Sequence, residues 1–97
     1  HMDEYVGLAP AAPQRFAAWL GTHLFDRVSL GAVHRIEPDP DPASEARRYA
    51  ALLAAAPIDI VCLGIGVNGH IAFNDPPVAD FDDPEDVKIV ELDAVCR

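Results

Sequence analysis

The chain has 97 residues, 51% of them hydrophobic and 24% charged, and carries a net charge of −9 at pH 7. That length allows one small domain. The charge argues against a nucleic-acid-binding protein, which needs a basic footprint, and no uninterrupted apolar stretch approaches the length of a membrane span. No basic-then-apolar signal segment opens the chain, so the expected setting is the cytoplasm. Cys62 and Cys96 form no CxxC pair and fall in or near expected strands. Both are expected to be buried and reduced.

In chain order, Asp3 to Val6 reads as a strand end leading into a loop. Pro10 and Pro13 mark a turn, and Pro13 suits a first helical position. Phe16, Leu20, His23 and Leu24 then recur at helical spacing, widened by Trp19. Val33 to Ile36 is a short strand candidate. Pro38-Asp39-Pro40-Asp41-Pro42 is a stiff loop in which Asp41 is placed to cap the next helix. The segment from Ala43 to Ala55 is expected to be that helix, with Ala46, Tyr49, Ala50 and Leu53 facing inward, ended by Pro57. Ile58 to Leu63 is a nearly continuous apolar run, the pattern of a buried parallel strand. Val87 to Leu92 is a last strand candidate. Alternating strands and helices predict an α/β fold, a partial, open, mostly parallel Rossmann-like sheet flanked by helices, with all 97 residues in one partial domain.

The apolar run ends in a glycine-rich turn, the usual site position in open α/β sheets. Gly64, Gly66 and Gly69 precede His70, and Asp75 closes the segment before Pro76 and Pro77. Gly64-x-Gly66-x-x-Gly69 formally matches the dinucleotide fingerprint, with Glu91 and Asp93 about twenty residues on. That fingerprint also needs a crossover helix starting at its third glycine. Here Pro76, Pro77 and the Asp80-Phe81-Asp82-Asp83-Pro84 cluster leave no room for one.

The same residues fit a second pattern. Gly64 to Pro76, with Gly69-His70-Ile71-Ala72-Phe73-Asn74-Asp75 at its centre, resembles the signature of glucosamine-6-phosphate deaminases, also called isomerases. Asp3-Glu4-Tyr5-Val6-Gly7-Leu8 is similar to a second segment of that family. The two stand in the family's order and at about its spacing, so the resemblance covers nearly the whole chain. Family members are considerably longer, so the chain reads as an internal fragment. Its incomplete sheet would leave open edges that invite pairing, and a homo-oligomer is possible.

The resemblance implies a sugar-phosphate enzyme that isomerises a hexosamine phosphate from aldose to ketose and releases ammonia, with no cofactor and no metal. Such a reaction needs only acids, bases and positioning. Histidine suits ring opening, since the imidazole reference pKa of about 6.5 lies near working pH. The resemblance assigns ring opening to His70 and the C2 proton to Asp3, with Asp75 as a supporting relay and Asn68 orienting His70. Gly64, Gly66 and Gly69 would let backbone amides approach the sugar. The best-known form of the motif has Asp where this chain has Asn68, and Glu where it has Asp75. Asn68 can orient a ring but supplies no charge. Asp75 keeps the charge on a side chain one methylene shorter.

Blander readings stand beside these. Asn68 also suits a left-handed turn position, and Asp75 could simply start a turn. His23 and His34 read as structural, Phe73 as core, and Glu4 as either a salt bridge or a support to the site. The acids from Asp80 to Asp86 lack the calcium-loop spacing. Two alternatives remain for function: a 6-phosphogluconolactonase-like hydrolase, which shares the glycine turn and histidine, and a sugar-phosphate-binding regulator without turnover.

Overall fold

The computed structural model describes residues 1–94, so the expectation for Cys96 lies outside the described residues. The chain divides into two compact units, His1–Glu45 and Ala46–Arg97.

In the first unit, α1 spans Phe16–Leu20 and runs directly into a π-helical turn at Gly21–Phe25. The helix starts three residues after Pro13, because the groups that receive its first amides come from elsewhere in the chain. Its N-cap residue Arg15 offers no side-chain cap. The carboxylate of Glu4 accepts the amide hydrogens of Phe16 at 3.1 Å and Ala17 at 2.9 Å. The four leading amides of a helix lack internal partners, and an acid there also opposes the positive end of the helix dipole. Helical pairing then widens at Gly21, where the Asp26 amide reaches back to the Gly21 carbonyl at 2.9 Å. His23 lies on the exposed side, its Nδ1 2.8 Å from the Trp19 carbonyl and its ring stacked on Trp19 at 4.2 Å between centroids.

The second helix, α2, spans Pro42–Ala55. Its start obeys the local chemistry. Asp41 Oδ1 accepts the amide of Ser44, the third helical residue, at 3.1 Å, and Pro42 occupies the first position, where its missing N–H costs nothing. The helix stops before Pro57, which clashes with a continuing turn. Tyr49 is buried, while Ala46, Ala50 and Leu53 are half-buried. Glu45, in the first turn, is also buried and accepts the Glu37 amide.

Among the described residues the strand candidates form no ladder, and the one β-bridge joins Ile71 to Asn74. The apolar segment before the glycine turn is exposed, with Ile58 at 60% and Ile60 at 82% of full exposure. Cys62 is a free thiol and is exposed, against the expectation of burial, because no neighbouring strand among the described residues covers it. The Ile36 amide donates to His1 Nε2 at 3.0 Å rather than to a strand. Sheet hydrogen bonds all leave the strand for a partner in another segment, so an apolar pattern predicts a buried face without naming what buries it.

Lys88 ties the loop of the second unit together. Its ammonium donates to the Val78 carbonyl at 2.8 Å and to Asp83 Oδ2. The Lys88 hydrogen bond, followed by that from the Glu85 amide, holds the Asp83 carboxyl below its ordinary value. A depressed folded-state pKa contributes stability that is present above the unfolded pKa and lost as pH falls through the folded one. Urea unfolding followed against pH should therefore show this contribution fading below about pH 4. D83N should be less stable than the parent at pH 7 and should flatten that acid limb. An unchanged limb would show that the Lys88 tie is not felt in solution.

Candidate active site

The glycine-rich turn folds back on itself. The Gly66 amide donates to the His70 carbonyl at 2.9 Å, and the Gly69 amide to the Gly66 carbonyl at 3.0 Å. Gly69 sits at φ +85°, where a side chain is strained. A Cβ on Gly66 would overlap the His70 ring. Gly64 has open space around the equivalent point and an ordinary φ. The amides of Gly66 and Gly69 are thus engaged in shaping the turn that carries His70.

Three of the expected site residues come together here. Asn68 Oδ1 accepts the His70 backbone amide at 3.1 Å and lies 2.5 Å from His70 Nδ1. Asn68 Nδ2 donates to Asp75 Oδ1 at 3.2 Å. That same carboxylate oxygen stands 3.1 Å from His70 Nδ1. Asp75 is 1% exposed, and its other oxygen accepts the Asp93 amide at 3.0 Å. Its carbonyl accepts from Val78 at 3.0 Å and Ala79 at 2.9 Å, which closes the turn through Pro76 and Pro77.

This network orients each member. The His70 backbone N–H can only donate, so the Asn68 amide must present its oxygen there and its NH₂ group to Asp75. His70 Nδ1 then faces two acceptors, Asn68 Oδ1 and Asp75 Oδ1, and must carry the proton. In the neutral ring the basic lone pair therefore lies on Nε2. The buried carboxylate of Asp75 is positioned to stabilise an imidazolium that forms when Nε2 takes a proton. Asn68 is not in the left-handed region: among the described residues the non-glycine with positive φ is Ala72, at 54°. Ala72 lies in the Ile71–Asn74 turn, between His70 and Asp75. Backbone strain of this kind tends to gather at functional sites.

Asp3 belongs to the first unit, half-buried, with its carbonyl 2.9 Å from His1 Nδ1. One group at the site has no counterpart in the sequence reading. The Asp93 amide, which holds Asp75, is a backbone group and leaves no trace in residue type. Glu4 has both an ion-pair partner, with Oε2 3.7 Å from Arg15 Nε, and a capping role. Among the described residues, no group of three or more His, Cys, Asp or Glu side chains is placed to hold a metal ion. No helix among them is long and apolar enough to cross a membrane.

The glycine turn thus presents a histidine whose Nδ1 faces a buried acid. The chain belongs to the family of glucosamine-6-phosphate isomerases/6-phosphogluconolactonase, whose pattern matches residues 3–86. It is 45% identical over 80 residues to a glucosamine-6-phosphate deaminase of Exiguobacterium sp. strain AT1b, covering 81% of this chain and 32% of that protein. A glucosamine-6-phosphate deaminase of Exiguobacterium sibiricum is 47% identical over 77 residues, covering 78% of this chain and 31% of that protein. Glucosamine-6-phosphate deaminase 2 of Bacillus subtilis strain 168 is 41% identical over 87 residues, covering 86% and 34%. The chain thus spans about a third of the length of these curated relatives. No solved structure matches it.

Proposed function

We propose that the full-length protein acts on glucosamine-6-phosphate, converting it to fructose-6-phosphate and ammonia by acid–base catalysis. The observation that carries this reading is the pairing of His70 Nδ1 with Asn68 Oδ1 and Asp75 Oδ1, which leaves Nε2 as the proton-transfer atom. In the proposed sequence, His70 takes the proton from the anomeric hydroxyl and returns it to the ring oxygen, which opens the ring. Asp3 removes the C2 proton, and the electron pair forms the C1–C2 double bond as the C1=O π pair moves onto the C1 oxygen, which takes up a proton. Protonation at C1 gives an iminium at C2. Water adds there, ammonia leaves, and the ketose remains. Every step is a proton transfer or the addition or loss of a neutral molecule, which positioned acids and bases can supply.

The names of the relatives favour this branch over the lactonase. In the same reading, the segment from Ile58 to Leu63 is a strand of an α/β sheet and the protein works in the cytoplasm on a small phosphorylated sugar. A side-by-side assay separates the branches. Full-length protein should release ammonia from glucosamine-6-phosphate and leave 6-phosphogluconolactone hydrolysis at its spontaneous rate. Accelerated lactone hydrolysis without ammonia release would reverse the assignment.

A further inference from the structure

We infer that Glu4 is the positioning residue for Asp3: its buried carboxylate clamps the Asp3 turn onto the first amides of α1. This inference rests on the role proposed above for Asp3. The Glu4 side chain has no exposed surface. Its Oε1 accepts the Tyr5 amide at 2.9 Å and the Phe16 amide at 3.1 Å, and its Oε2 accepts the Ala17 amide at 2.9 Å. Arg15 Nε, buried and without a hydrogen-bond partner of its own, stands 3.7 Å from Oε2 and supplies the compensating charge. The Tyr5 and Phe16 rings stack at 5.4 Å, closing the same junction from the apolar side.

A buried carboxylate is costly unless its lone pairs are filled, and here both oxygens are used. That arrangement explains why an acid stands at this position. A glutamine would fit the space but has one acceptor oxygen, and would turn an NH₂ group toward one of the three amides. One planar peptide bond separates Glu4 from Asp3, so anchoring Glu4 narrows the directions in which the Asp3 side chain can leave the backbone. The His1 ring, bridging the Asp3 carbonyl and the Ile36 amide, holds the other side of the same turn.

The test uses the full-length protein with E4Q and E4A, and with D3N as the control for loss of the C2 base. A displacement of about an ångström at a catalytic group can cost on the order of 100-fold in rate. E4A should lose about that much kcat with KM little changed, and E4Q should fall between E4A and the parent. The rate with C2-deuterated substrate is the discriminating readout. If Glu4 positions the C2 base, the isotope effect on kcat rises in both variants, whereas simple loss of folded protein leaves it unchanged. Folded E4Q and E4A with parental kcat and isotope effect would overturn the inference. Should the parent itself release no ammonia, the proposed function fails, and the clamp is read from amide hydrogen exchange. Phe16 and Ala17 amides that lose protection together in E4Q sustain the clamp; parental protection at both overturns it.

Discussion

Replacing Asp75 with asparagine should lower ammonia release by the full-length protein by three to four orders of magnitude, while leaving the protein able to bind the sugar phosphate. Asp75 places a carboxylate oxygen 3.1 Å from His70 Nδ1, and it is 1% exposed, so its charge acts with little solvent screening. In a serine-protease triad, the same acid-to-amide change beside a catalytic histidine costs about 10⁴ in turnover. Here the neighbouring Asn68 is already neutral, so D75N would leave Nδ1 of the ring between two amides. Stability should fall too. The Asp75 carboxylate accepts from Asn68 Nδ2 and the Asp93 amide and faces Nδ1 of His70. An asparagine NH₂ must meet a donor on one side or the other, a mismatch worth about 1–3 kcal/mol when buried. Urea unfolding measures that loss, and ammonia release measures the first. Turnover within tenfold of the parent would remove Asp75 from the relay.

The second large effect is expected at Gly66. A methyl group there would fall on the imidazole of His70, whose position is fixed by Asn68 Oδ1, Asp75 Oδ1 and the Gly66–His70 backbone bond. The ring is the part that can give, and moving it breaks both Nδ1 contacts. G66A should therefore lower kcat by about 100-fold, the scale of an ångström-level misplacement, with an overpacking cost of about 1–3 kcal/mol. Gly64 offers the contrast. Beyond its chain neighbours, no described atom lies within 4 Å of a Cβ added there. A rise in KM in G64A would thus report approach of the sugar to this turn, whereas a loss of kcat in G66A reports displacement of His70. Equal kcat for G66A and the parent would show that the turn does not hold the ring in this position.

The two helices differ in how readable they are, and the reason is distance along the chain. For α2, Asp41, Pro42 and Pro57 are local signals, each acting within a few residues, and the observed span Pro42–Ala55 matches them closely. For α1 the decisive group is Glu4, twelve residues upstream of Phe16. Nothing in the Pro13–Phe16 segment announces it, so the local pattern points to Pro13 as the helix start. Strand candidates lie further still from local legibility. The run from Ile58 to Leu63 has the composition of a strand, but composition does not name a hydrogen-bonding partner.

The site divides along the same line. Asn68, His70 and Asp75 are close in sequence, and a tight turn with Gly66, Gly69 and Ala72 suffices to gather them. The expected partnership of Asp75 with His70 is realised at 3.1 Å, despite the shorter side chain, because the turn through Ala72 brings the backbone round. What residue types could not convey is that one oxygen of Asn68 serves both the backbone and the ring of His70, which sets the tautomer. Nor could they show that the amides of Gly66 and Gly69 hydrogen-bond within the turn.

The most direct test of His70 as the proton-transfer group is ammonia release from glucosamine-6-phosphate by the full-length protein, coupled to detection of fructose-6-phosphate, with H70A beside it. Equal amounts of ammonia and ketose are expected from the parent, and none above background from a folded H70A that still binds the sugar phosphate. A folded parent that binds the sugar phosphate and releases no ammonia would contradict the assignment.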